Sequence, residues 1–130
     1  MTALVVDDEP VMQDYLTYFF EEAGVPVRLA GSGDEALTMV DEVWPDLVVI
    51  DLSLPGSYTG WELWDALLER AQGRSLRVAV CGGALTTADE HQARARGALV
   101  VLRKPVRKAE AVHLVQLGKG AGDVLAGSDR

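Results

Sequence analysis

A single cysteine, Cys81, among 130 residues leaves no second sulfur for an internal disulfide, so a reducing compartment is the natural setting. No stretch approaches the roughly 18 consecutive apolar residues that a membrane-spanning helix requires. The opening run Met1-Thr2-Ala3-Leu4-Val5-Val6 meets acid at Asp7, without the basic leader and long apolar centre of a secretory signal. Basic charge is scarce as well: 12 Lys and Arg stand against 20 Asp and Glu, a net charge of −8. A field of that sign repels nucleic acid and anionic lipid, so neither is expected as a partner. Internal repeats are lacking, and so is low-complexity sequence ahead of Gly118. What remains is an ordinary cytoplasmic globule, for which 48% hydrophobic and 25% charged residues is the usual balance. The length suits one domain with a real core.

Within those bounds, short apolar runs alternate with longer segments of helical period. The runs are Ala3–Val6, Val27–Ala30, Leu47–Ile50, Val78–Cys81 and Ala98–Leu102. Most show no polar alternation, which suits strands of a parallel sheet covered on both faces. Five such strands with helical crossovers predict a doubly wound, three-layer α/β/α sandwich. Pro10 fits the first turn of a helix carrying Val11, Met12, Tyr15, Leu16, Phe19 and Phe20, stopped at Gly24. Ser32 with Glu35 and Thr87 with Glu90 have capping-box spacing, the second before a helix ended by Gly97. A third helix is expected from Trp61 toward Gln72, and a short last one over Lys108–Leu117. The folded unit is therefore placed at residues 1–117, with 118–130 as a flexible tail or the start of a linker.

In an open parallel sheet, ligands bind beyond the carboxyl ends of the strands. Asp7, Asp8 and Glu9 follow the first run, Asp51 the third, Gly82 the fourth, and Lys104-Pro105 the fifth. Clustered carboxylates repel one another, and a hard cation with oxygen ligands relieves that; Mg²⁺ suits a shell shared by carboxylates and water. Asp51, alone after its strand, is the candidate nucleophile, because carboxylates form acyl phosphates. Lys104 supplies a compact positive charge for Asp51 or a phosphoryl oxygen.

Val5-Val6-Asp7-Asp8-Glu9-Pro10, Leu47-Val48-Val49-Ile50-Asp51-Leu52-Ser53-Leu54-Pro55 and Arg103-Lys104-Pro105 resemble the three signature stretches of bacterial response-regulator receiver domains. The resemblance runs from about Leu4 to Leu117. It implies a flavodoxin-like fold with strand order 2-1-3-4-5, and a phosphoacceptor module of a two-component phosphorelay. It makes Asp7 and Asp8 the acidic pair, Asp8 the more direct metal ligand, and Asp51 both phosphoacceptor and ligand. The main-chain carbonyl of Ser53 completes the protein's share of a Mg²⁺ shell, Lys104 contacts the phosphoryl group, and Pro105 shapes its loop through a cis bond. The implied partner is a sensor histidine kinase or phosphotransfer protein. The module is not an enzyme, beyond its own phosphorylation and dephosphorylation.

Two positions depart from the family's pattern. Gly82 falls where a Ser or Thr ends the fourth strand, or Cys81, a poor donor, if the alignment slips by one residue; with Gly82 there, only a backbone N–H, as from Gly83, remains for a phosphoryl oxygen. Val101 falls where an aromatic side chain rotates. The usual lever is missing, and the loop from Gly82 into the following helix is the expected moving element. The loop Pro55-Gly56-Ser57-Tyr58-Thr59-Gly60 is about one residue longer than usual. These departures favour an alternative, a pseudo-receiver that binds a partner without phosphorylation; the intact Asp7, Asp8, Asp51 and Lys104 oppose it. A dehalogenase-type phosphatase wants an acid where Ser53 stands, and a flavin phosphate would be repelled by Asp7-Asp8-Glu9. Arg94, Arg96, Arg103, Arg107 and Lys108 give a basic tint late in the chain, a solvated face or part of a surface on the last two helices for a homodimer or effector. Cys81 is expected to be a buried strand residue, His91 and His113 to be helix residues without ligand spacing, and Tyr18 to mark a partner contact.

Overall fold

A computed structural model describes the backbone of residues 1–128 and the side-chain surroundings of residues 1–119. Strands and helices alternate: β1 (Ala3–Val6), α1 (Pro10–Glu22), β2 (Val27–Ala30), α2 (Gly33–Glu42), β3 (Leu47–Asp51), α3 (Gly60–Ala71), β4 (Arg77–Gly82), α4 (Thr87–Ala95), β5 (Val101–Arg103) and α5 (Lys108–Ser128). The strands are all parallel and lie in the order β2-β1-β3-β4-β5. This is the expected flavodoxin-like sandwich.

The period of two along each strand sorts the core into two layers. Ala3, Val5, Leu47, Val49, Ala79, Cys81 and Leu102 pack with Met12, Leu16 and Phe20 of α1 and Ala111 and Leu114 of α5. Leu4, Val6, Val48, Ile50, Val78 and Val80 pack with Leu37, Val40, Leu63, Trp64, Leu67 and Ala93 of α2, α3 and α4. Extending the same alternation past the strand ends aims Asp7, Asp51 and Lys104 toward the α1/α5 layer. Gly82 and Val101 belong to the opposite layer, over α4.

Local chemistry accounts for the helix starts. Pro10 opens α1, and Ser32 Oγ caps α2 by accepting the Glu35 N–H at 3.2 Å. Glu35 itself accepts from the Gly31 N–H, not from Ser32, so the expected reciprocal box is half formed. A full capping box of Thr59 and Glu62 starts α3, and Thr86 with Asp89 starts α4. The second box lies one residue ahead of the expected Thr87 and Glu90. The shift frees Glu90 to pair with Arg94 and Arg103, at 2.9 and 3.0 Å.

Two boundaries at the C-terminal end differ from expectation. β5 begins at Val101 instead of Ala98, because the Ala98 N–H closes the end of α4 on the Ala93 carbonyl at 3.0 Å. α5 continues past Leu117 to Ser128. Gly118 is buried so closely against β3 that a Cβ there would meet Leu47 Cδ2 at 2.7 Å. The Arg77 guanidinium donates to the carbonyls of Leu117 and Gly118 at 2.9 and 2.6 Å. Residue 118 therefore belongs to the packed unit and not to a tail. Asp129 and Arg130 of the expected tail lie outside the described residues.

Gly60 brings α3 directly behind the end of β3. A Cβ at this position would lie 2.6 Å from Leu52 Cα and 2.8 Å from the Asp51 carbonyl oxygen, both backbone atoms that cannot yield. Gly60→Ala is expected to lower stability by about 1–3 kcal/mol through this overpacking. Gly31→Ala, where the added methyl meets nothing within 4 Å, is expected to stay within about 0.5 kcal/mol of the parent. Urea unfolding midpoints of the two variants check both values.

Candidate functional site

Asp7 sits just past β1, with its N–H held by the Ala30 carbonyl at 2.9 Å. It is fully buried. Its Oδ1 accepts the Glu9 N–H at 2.9 Å, and Oδ2 lies 2.9 Å from Lys104 Nζ. The Gln13 side chain, one turn into α1, donates to the Asp7 carbonyl at 2.7 Å and fixes the acidic turn. Asp51 ends β3 at 3% exposure. Its Oδ1 accepts the Ser53 N–H at 2.8 Å, and Oδ2 faces Lys104 Nζ at 2.9 Å. Asp8 stands exposed beside them, and oxygens of Asp7, Asp8 and Asp51 lie within 4.8 Å of one another.

One ammonium balances this cluster. Lys104 Nζ contacts Asp7, Asp51 and Glu9, and the lysine side chain is only 15% exposed. The peptide bond from Lys104 to Pro105 is cis, as the family resemblance implies. Burial works against the charge of Lys104, but hydrogen bonds to Glu9, Asp7 and Asp51 outweigh it and hold the ammonium above the ordinary lysine range. Burial raises the Asp7 carboxyl above its usual value, against the opposing pull of Lys104 and the Glu9 N–H. Burial, together with the charges of Asp51 and Asp7, pushes the Cys81 thiol well up, so it stays protonated and points at Asp7 Oδ2 from 3.9 Å. Cys81 is thus the buried strand residue expected.

Three adjoining carboxylates, with no imidazole or thiolate among them, form an oxygen-only donor set that fits a hard divalent cation. The site opens into a cleft of about 760 Å³, whose lining includes Asp8, Glu9, Asp51, Ser53, Gly83 and Lys104 on its polar side. Gly83 is exposed there, with open space around its Cα.

Gly82 and Val101 lie apart from the cleft. Gly82 is buried at the end of β4, and the space a side chain would take is filled by Leu85, whose Cδ2 lies 2.7 Å from an ideal Cβ. The Leu85 carbonyl accepts from Arg103, which also pairs with Glu90 of α4. Val101 packs at the edge of the α2/α3/α4 layer. The arginines late in the chain are largely neutralised, Arg94 and Arg103 by Glu90, Arg96 by Asp65 and Arg107 by Glu110. Arg96 also covers Trp61 and Trp64 of α3 at 5.1 and 5.3 Å. Tyr18 is 58% exposed. His91 and His113 are exposed helix residues. The sequence placed Glu9 at this rim without its pairing to Lys104, and it carries no signal for Leu85 or Gln13 as neighbours of these sites, since each contact depends on where a loop or helix turn returns.

Lys104→Met would leave Asp7 and Asp51 buried without a countercharge, and a loss of about 3–5 kcal/mol is expected at neutral pH in metal-free buffer. A carboxyl whose folded pKa lies above its unfolded value favours the native state once protonated. Asp7 has that sign, so the deficit of the variant should shrink as pH falls. Urea unfolding of parent and variant at neutral and mildly acidic pH measures the difference.

The family model of the response regulator receiver domain matches residues 3–116. A 14.6 kDa protein of Leptolyngbya boryana is 33% identical over 116 residues, 89% of this chain and 88% of that one. The transcriptional activator protein ExaE of Pseudomonas putida is 50% identical over 58 residues, which are 43% of this chain and 27% of that protein. The receiver domain of NtrX from Brucella abortus superposes with a TM-score of 0.79 at 27% identity, over 89% of this chain and 96% of that one. With the sheet order, the grouped acids and Lys104 in place, the chain belongs to the response regulator receiver domain family.

Proposed function

We propose that this domain, in the cytoplasm, takes a phosphoryl group onto Asp51 from a sensor histidine kinase or phosphotransfer protein, with Mg²⁺ held by Asp7, Asp8, Asp51 and the main-chain carbonyl of Ser53. The observation that carries this reading is the state of Asp51 itself. Its carboxylate is buried, oriented by the Ser53 N–H through Oδ1, and matched by Lys104 at Oδ2, at the floor of an open cleft. A carboxylate held in one orientation needs little reorganisation to attack in line.

Mg²⁺, when bound, supplies charge neutralisation for the clustered carboxylates and for a transferring phosphoryl group. The chain's own residues do the rest. An Asp51 oxygen forms the new bond to phosphorus while the bond from phosphorus to the donor atom breaks, and the donor leaves with that electron pair. Lys104 follows the charge from Asp51 onto a phosphoryl oxygen, and the exposed Gly83 offers a backbone N–H beside it. The buried Cys81 thiol and the Gln13 amide hold Asp7 in place. No side-chain hydroxyl stands at Gly82, so the response falls to the loop between β4 and α4, where Leu85 rests on Gly82 under the hold of Arg103. Output runs through protein contacts, with the last two helices as the homodimer or effector face. Among the described residues, no helix is long and apolar enough to cross a membrane.

Incubation with acetyl phosphate and Mg²⁺, followed by intact-mass measurement, is expected to show one added phosphoryl group. The adduct should be missing without Mg²⁺ and in Asp51→Asn. A folded parent protein that binds Mg²⁺ yet gains neither phosphoryl nor beryllofluoride would sink the reading.

A further inference from the structure

The N-cap position of α1 is held by Glu9, and its side chain makes no cap hydrogen bond. Ser, Thr, Asp and Asn are the usual caps because their short side chains reach the first free N–H groups of the helix. Glu9 instead reaches across the cleft to Lys104. An ammonium has three N–H donors and no more, and Lys104 is surrounded by three carboxylates, Asp7, Glu9 and Asp51. Hydrogen bonds from Nζ go to Glu9 and Asp51, with Asp7 Oδ2 paired to it at 2.9 Å, so a further ligand of the ammonium must compete with these carboxylates.

The three are not equally able to do so. The Asp7 and Asp51 side chains are 0% and 4% exposed, so an unpaired charge on either would be costly. The Glu9 side chain is 57% exposed and can be solvated by water as soon as it is released. Glu9 also lines the cleft together with Asp51 and Lys104. We infer that Glu9 is a positioning residue that occupies one N–H donor of Lys104 and yields it to an incoming phosphoryl oxygen. The inference rests on the proposed phosphoacceptor function. Through it, this chain sets the affinity of its site for phosphoryl groups by competition for one N–H, without touching the nucleophile.

The test is a fluorine NMR titration of the full chain with beryllofluoride at saturating Mg²⁺, using the parent, Glu9→Gln and Glu9→Asp. Glu9→Gln removes the charge and weakens the hold on Lys104, and is expected to tighten beryllofluoride binding about tenfold, some 1.4 kcal/mol. Glu9→Asp keeps the charge, but its shorter side chain suits the α1 cap and falls short of Lys104, so it should tighten binding to a similar degree. A merely structural role predicts weaker binding in both variants, with a lowered Tm, and that result overturns the inference. Parent-like binding by Glu9→Asp overturns it too, because repulsion at the mouth would then be the whole effect. If the parent itself binds no beryllofluoride, the phosphoacceptor reading fails first, whereas parent binding with unchanged variants removes only the role of Glu9.

Discussion

The ammonium of Lys104 lies between the carboxylates of Asp7 and Asp51, 2.9 Å from each, and both acids are almost wholly shut off from water. Two like charges cannot be buried side by side unless something balances them. Bringing the ends of β1, β3 and β5 together at one rim therefore makes sense only with a cation between them. The lysine serves in the structure described here, and a divalent ion is the natural addition. The surroundings follow from this demand. Ser53 and Glu9 turn backbone N–H groups onto the acids, Gln13 clamps the Asp7 carbonyl, and Cys81 faces Asp7 as a neutral thiol.

The period of two in the strands puts the acid cluster and the departures from the family's pattern on opposite faces of the sheet. Asp7, Asp51 and Lys104 continue the rows that face α1 and α5, whereas Gly82 and Val101 continue the rows that face α4. The two faces meet at the strand ends and at the loop after β4. In this chain that loop is seated by a leucine, not tied by a hydroxyl. Leu85 fills the space over Gly82, and Arg103 links its carbonyl to Glu90 on α4. α4 is further tied to α3 through Arg96, which pairs with Asp65 and covers two stacked tryptophans. Packing and ion pairs therefore hold this face together around Gly82 and Val101.

Much of this was legible from the chain. The runs at Ala3–Val6 and Val27–Ala30 became β1 and β2 with those bounds, and β3 and β4 grew by a residue or two at their ends. Boundaries failed where two local solutions compete. Thr86 and Thr87 offer equivalent caps with acids three residues on, and only the packing of α4, with Glu90 drawn toward Arg103, selects the first. The glycines from Gly118 onward argued for a break, yet Gly118 sits where close contact with β3 requires a missing side chain. Glycine weakens a helix locally, and tertiary contact overrides it here.

Short-range chemistry and periodicity are properties of the sequence itself, so the layer order, the acid cluster, the candidate nucleophile and its lysine could all be read without coordinates. Strand ends converge because parallel β/α units all run the same way, which places Asp7, Asp51 and Lys104 together whatever the details. The occupants of gaps, and the sharing of each donor among neighbours, depend on contacts between residues far apart in the chain. Leu85 over Gly82, Arg77 on the α5 carbonyls and Glu9 on Lys104 leave no trace in spacing or composition. Only the packed tertiary structure decided them, because each arises when a loop or helix returns to the sheet at one angle and leaves one space to fill.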